Sequence, residues 1–106
     1  MNSYGRSLLR RARMLIEHGG YRHVCYAINQ AEEEAVERAH PDNKRTFSNA
    51  ARDLRYYISC SLGEYGTLDG WQRRRGLYMG EDQIKIDRIR WIDWMLGEPR
   101  REELKR

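Results

Sequence analysis

An all-α fold, a compact bundle of four to five helices, is what this sequence predicts, and three observations predict it. The stretch Glu81 to Gly97, EDQIKIDRIRWIDWMLG, carries the densest apolar and aromatic content of the 106 residues. Three earlier stretches repeat apolar residues at steps of three and four, the spacing that lines one face of a helix. Glycine or proline stands at the end of each, where helices stop. This length makes one domain and one core, with roughly two-thirds of the unfolded chain's surface buried on folding. Residues 1–97 form that helical domain; 98–106, EPRREELKR, has a single apolar residue, Leu104, and reads as a charged C-terminal tail.

The first helix starts from a cap at Ser3 or Ser7 and runs to about His18, with Leu8, Leu9, Ala12, Leu15 and Ile16 as its apolar stripe. Arg6, Arg10 and Arg13 fall on its other side. Gly19 and Gly20 end it, Gly19 as the expected left-handed cap. The second helix spans about Tyr21 to Ala39. Tyr21, Val24, Cys25, Ile28, Ala31, Ala35, Val36 and Ala39 repeat the stripe, and the alanines let a neighbouring helix come close. Pro41 stops it.

Turn and cap residues at Asn43 to Ser48 then introduce a third helix reaching about Leu62, with Phe47, Ala51, Leu54, Ile58 and Leu62 inward and Tyr57 at the edge. The glycine-rich stretch GEYGTLDGWQRRRGLYMG follows, holding a short helix from Leu68 to Arg75 capped by Thr67 and pinned by Leu68 and Trp71. The last helix, about 81–96, has Ile84, Ile86, Ile89, Trp91, Ile92, Trp94, Met95 and Leu96 around too much of its circumference for one narrow stripe. At least two of its sides must be covered. It is therefore expected at the centre of the bundle.

Composition narrows the function by what it excludes. Charged residues make up 34% of the chain and mean hydropathy is −0.95. No apolar run approaches the ~18 residues that span a bilayer, and the arginine-rich start lacks the apolar region of a secretory signal, so no membrane association and a cytoplasmic location are expected. Cys25 and Cys60 form no CxxC and read as two reduced thiols on inner helix sides.

His18, His23 and Cys25 share no helical face, so no metal is expected. No glycine pattern matches a phosphate loop, no serine sits in a nucleophile elbow, and three scattered histidines nominate no base. Asp87 and Asp93 point to different faces and read as surface partners, Asp93 with Arg90. The expectation is a non-enzymatic protein without a cofactor.

Charge points to partners. The net charge is +4, and five arginines against one glutamate crowd the first 23 residues, while Glu32, Glu33, Glu34 and Glu37 face only Arg38 over 24–41. Arg73, Arg74 and Arg75, beside Trp71 and Tyr78, are the sharpest polar feature, since guanidinium groups grip phosphate in a bidentate fork. If Arg10, Arg11 and Arg13 converge with Arg73, Arg74 and Arg75, with Tyr65 or Tyr78 beside them, they make a pocket for an anionic nucleotide. A small basic DNA- or RNA-binding accessory protein is the second choice, though the last helix lacks base-reading side chains. Trp91, Trp94 and Met95 exceed what the core stripe needs, and they mark an expected interface of a homodimer or higher oligomer.

The succession LLRRARMLIE, HVCYAINQA, LGEYGTLDGW and RIRWIDWML, with Cys25, Ala27, Ile28, Leu68, Gly70, Trp71, Arg88, Trp91, Ile92 and Asp93 as the carrying residues, resembles small uncharacterised helical proteins encoded by bacteriophages and prophages. The resemblance runs from about Leu8 to Leu96 and leaves out the tail. It implies a phage accessory protein that neutralises a host defence factor by binding, either to a host protein or to a nucleotide signal. It brings no catalytic residues with it.

Overall fold

The structure, a computed structural model, describes residues 2–60 and 81–97. Among these residues the chain forms four α-helices and no strand: α1 Ser3–His18, α2 Val24–Arg38, α3 Pro41–Cys60 and α4 Glu81–Leu96. The all-α bundle expected from periodicity is what forms. The expected short helix 68–75, with Trp71, and the tail 98–106 lie outside the described residues.

Helix ends follow backbone needs that apolar spacing does not report. Asn2, extended at φ −82°, ψ 176°, caps α1 by accepting the Gly5 N–H at 2.9 Å. Ser3 and Ser7, the expected caps, are already helical, so their side chains have no free end to close. At the other end it is Gly20, at φ +80°, that takes the left-handed conformation, while Gly19 sits at φ −100° and donates its N–H to the Leu15 carbonyl at 2.8 Å. Both positions still require glycine, for different reasons. A Cβ at Gly19 would lie 2.8 Å from the Leu15 oxygen, whereas at Gly20 the dihedral itself is the obstacle.

Helix α2 opens at Val24 rather than Tyr21, because His23 is extended and its carbonyl accepts the first helical bond, from Ala27 at 3.0 Å. Pro41 ends α2, as expected, but it also begins α3. Proline lacks only an N–H that a first helical residue would leave unpaired. His40 closes the start: its carbonyl accepts the Asn43 N–H at 2.8 Å and its Nδ1 the Asp42 N–H at 3.2 Å. The Lys44 ammonium ties the junction by donating to the Val36 carbonyl at 2.6 Å. Ala39 and His40 are the whole connection, and with Lys44 beside Val36 and Arg55 beside Glu32 the two helices run antiparallel.

The hub is α1. It packs against α2, α3 and α4, while the other extensive pairing among the described residues is α2 with α3. Leu8, Leu9, Ala12, Leu15 and Ile16 of α1 meet Val24, Ala27, Ile28 and Ala31 of α2, Ala50, Ala51, Leu54 and Ile58 of α3, and Trp91, Ile92 and Leu96 of α4 in one buried cluster. Among the described residues, α4 packs against α1. Despite its apolar content, α4 leaves Ile86 and Trp94 exposed and places Asp87 and Arg88 on its buried face. Its direction is fixed by two contacts: Lys85 Nζ donates to the Glu17 carbonyl at 3.2 Å, and Arg13 Nε to Asp93 Oδ1 at 2.9 Å. Rising along α4 means descending along α1, so the two run antiparallel.

Candidate functional site

A cleft of about 380 Å³ opens between α1, α2 and α3. Its apolar lining comes from Leu8, from Ala31 and Ala35 on successive turns of α2 and Ala39 just past its end, and from Phe47 of α3; Ser7, Arg11, Glu34 and Arg38 supply the polar part. Alanine creates the space, because its short side chain leaves room that a leucine at the same turn would fill. Phe47 closes one end, held edge-to-face against Tyr4 with ring centroids 4.9 Å apart.

The cleft's polar edge is organised by one ion pair. Arg11 donates to Glu34 through Nε at 2.7 Å and Nη2 at 3.2 Å, a two-pronged contact that fixes both side chains, and Gln30 adds a bond to the same carboxylate at 3.3 Å. The Arg11 hydrogen bond, seconded by Gln30 and by the charges of Arg11 and Arg38, holds the Glu34 carboxyl below the usual carboxylate range; the same contact raises Arg11. A carboxyl lowered in the fold stabilises it fully above the ordinary glutamate value of about 4.3 and loses that contribution as pH falls through the folded value. The melting-temperature gap between wild type and Glu34→Gln should therefore be widest near neutrality and close below about pH 4. A gap of constant width across that range would contradict the pairing.

The arginines of α1 do not form one basic group. Successive helical positions are about 100° apart, and the structure shows the result: Arg10 is exposed, Arg11 is held by α2, and Arg13 reaches both Glu17 at 2.7 Å and Asp93 of α4 at 2.9 Å. The Asp93 hydrogen bond is the main reason the Arg13 guanidinium is raised. The remaining members of the expected anion pocket, Tyr65, Arg73, Arg74, Arg75 and Tyr78, lie outside the described residues. The expected Asp93–Arg90 pair is also replaced: Asp93 takes Arg13, and Arg90 Nη1 faces Asp87 Oδ1 at 4.0 Å. An arginine of another helix offers Asp93 a contact that spacing along α4 alone cannot reveal.

The expected interface residues part company. Trp91 is 1% exposed and belongs to the core, so it has no surface to offer a second chain; Trp94 is 37% exposed and Met95 is half-buried against the core. Cys25 is a free, half-buried thiol; Cys60 falls among the side chains outside the described set. Among the described residues no group of three or more His, Cys, Asp or Glu side chains is placed to hold a metal ion, and no helix is long and apolar enough to cross a membrane.

Sequence reasoning missed two features. The cleft depends on three chain segments meeting, and no one segment announces it. The burial of Asp87 and Arg88 was within reach, since they stand four residues before Trp91 and Ile92 and so share their face. Compared with known proteins, the chain matches no family model, no curated protein and no solved structure.

Proposed function

We propose that the chain is a non-enzymatic interaction protein of the phage accessory type, acting in the host cytoplasm, which neutralises a host factor by seating a segment of a host protein in the cleft between α1, α2 and α3. One observation carries the reading: an apolar-lined cleft of about 380 Å³ edged by an ion pair that is already fixed. Affinity in protein recognition concentrates in a few side chains that fill such pockets, with polar groups around them setting the register. Glu34 is matched by Arg11, so the charge of Arg38 is the surplus at the edge. The segment that fits is an apolar side chain with an acidic neighbour. The nucleotide form of the proposal is less favoured, because Arg11 and Arg13 already hold carboxylates that a phosphate would have to displace.

The test is to fill the cleft. Ala35→Trp adds bulk in the cleft and keeps both members of the ion pair. Proteins that copurify from a bacterial lysate with the wild type should lose at least about tenfold in affinity for the variant, the scale of one lost anchoring side chain. Titrations with nucleotides and with a short duplex run beside it. Equal binding of every partner to both forms would sink the proposal, as would binding confined to nucleic acid and weakening steeply with salt.

A further inference from the structure

The occupant that suits the cleft, an apolar side chain with an acidic neighbour, has a match within the chain itself. The tail 98–106, EPRREELKR, carries one apolar residue, Leu104, directly after Glu102 and Glu103. Leu8, Ala31, Ala35, Ala39 and Phe47 border a space of about 380 Å³, and a branched aliphatic side chain fills such a space without bringing in a polar atom to be left unpaired. Two arginines, Arg11 and Arg38, and one glutamate, Glu34, form the charged edge. Arg11 is bound to Glu34 through two hydrogen bonds, so a second carboxylate arriving at this edge meets net positive charge.

Helix α4 delivers the tail to the right end of the bundle. Asp93 is level with Arg13, to which it is bonded at 2.9 Å, and α4 runs antiparallel to α1. Four residues on, roughly 6 Å along the axis, Gly97 stands at about the level of Leu9, beside the turn of α1 that gives the cleft Ser7, Leu8 and Arg11. There Gly97 takes φ +70°, the left-handed conformation that ends a helix and turns the chain out of its line. The chain has then to pass around α1, because Arg11 on the cleft side and Arg13 on the α4 side are about 200° apart. Half the circumference of a helix about 10–12 Å across is roughly 16–19 Å, and the stretch from Gly97 to Leu104 spans up to about 23–25 Å. Leu104 is within reach of the cleft.

We infer that the C-terminal tail folds back into the cleft, with Leu104 among Ala31, Ala35 and Phe47 and the Glu103 carboxylate accepting from the Arg38 guanidinium, so that the cleft holds a segment of its own chain until a partner displaces it. The inference rests on the reading of the cleft as a seat for an apolar side chain with an acidic neighbour. A tether this short holds its end at an effective concentration on the order of millimolar, so even a weak contact is filled. A partner must then bind better than the tail does.

Alanine methyl signals of the full chain, in carbon–proton correlation spectra, read the seat. Leu104→Ser should move those of Ala31, Ala35 and Ala39 and leave in place those of Ala12 and Ala27, which belong to the core and not to the cleft lining. Nuclear Overhauser contacts between the Leu104 methyls and the Phe47 ring should be present in the wild type and lost in Ala35→Trp. Glu103→Arg should displace the same three alanine signals, and Arg38→Glu added to it should return them. The inference is overturned if Leu104→Ser leaves the three signals where they were, or if the contacts between Leu104 and Phe47 fade on dilution, which would make the occupant the tail of a second copy. A charge exchange that restores nothing would overturn the pairing of Glu103 with Arg38. These spectra need no partner, so the two readings fail separately: unmoved alanine signals remove the tail, whereas captured proteins that bind Ala35→Trp as well as the wild type remove the host segment.

Discussion

Replacing Trp91 with alanine is expected to destabilise the protein by about 3–5 kcal/mol, the range for deleting a large buried aromatic side chain. Trp91 is the largest of the fully buried side chains among the described residues, and with Ile92 and Leu96 it makes up the fully buried apolar contribution of α4, with Ile89 and Met95 packed at its margin. The polar contacts that hold α4 to α1, Arg13–Asp93 and Lys85–Glu17, are partly exposed, and such contacts contribute little alone. Losing Trp91 therefore loosens the whole helix. Thermal melts should show a drop on the order of 10–20 °C for a domain of this size. Trp94→Ala, three residues on, removes a side chain 37% exposed and should cost well under half as much. Equal losses for the two would mean that the face of α4 turned to the core has been misassigned.

Leu9→Ala is expected to cost about 2–5 kcal/mol, toward the upper end. Leu9 is fully buried on α1, the helix that touches all the other described helices. How much a cavity costs depends on whether its neighbours can collapse into it, and the core around α1 is rich in alanine, at positions 12, 27, 31, 50 and 51. A side chain of one carbon cannot lean over to fill a gap. Leu9→Met, which conserves volume, should lose less than about 1.5 kcal/mol. Chemical denaturation of the pair gives both numbers, and a Leu9→Ala loss below about 1 kcal/mol would show that the core relaxes freely.

Arginines of this chain differ in what they hold. In the cleft, Arg11 is matched by Glu34 before any partner arrives, so its charge orients and discriminates but adds little attraction. Within α4, Arg88 is buried with the opposite charge of Asp87 beside it. A count of arginines along the chain does not separate these cases. Arg10, Arg11 and Arg13 formed the dense basic group by sequence, yet Arg11 is held by Glu34 and Arg13 by Glu17 and Asp93.

What the sequence by itself determined is the four described helices and most of their inward faces. Leu8, Leu9, Ala12, Leu15 and Ile16 on α1, and Ala51, Leu54 and Ile58 on α3, were legible from their steps of three and four and are buried as expected. Gly19, Gly20 and Pro41 marked the breaks. These are local properties: helical periodicity and dihedral preference act between residues a few positions apart, so a single stretch contains them whole. The tertiary structure alone decided that α1 is the hub of the described helices, that Asp93 pairs with Arg13 and not Arg90, that Trp91 faces in while Trp94 faces out, and that Ala31, Ala35 and Ala39 open a cleft against Leu8 and Phe47. Each of these depends on which surface a helix meets. A side chain's burial and its ion-pair partner are set by atoms far away in sequence, and no spacing within one helix carries that information.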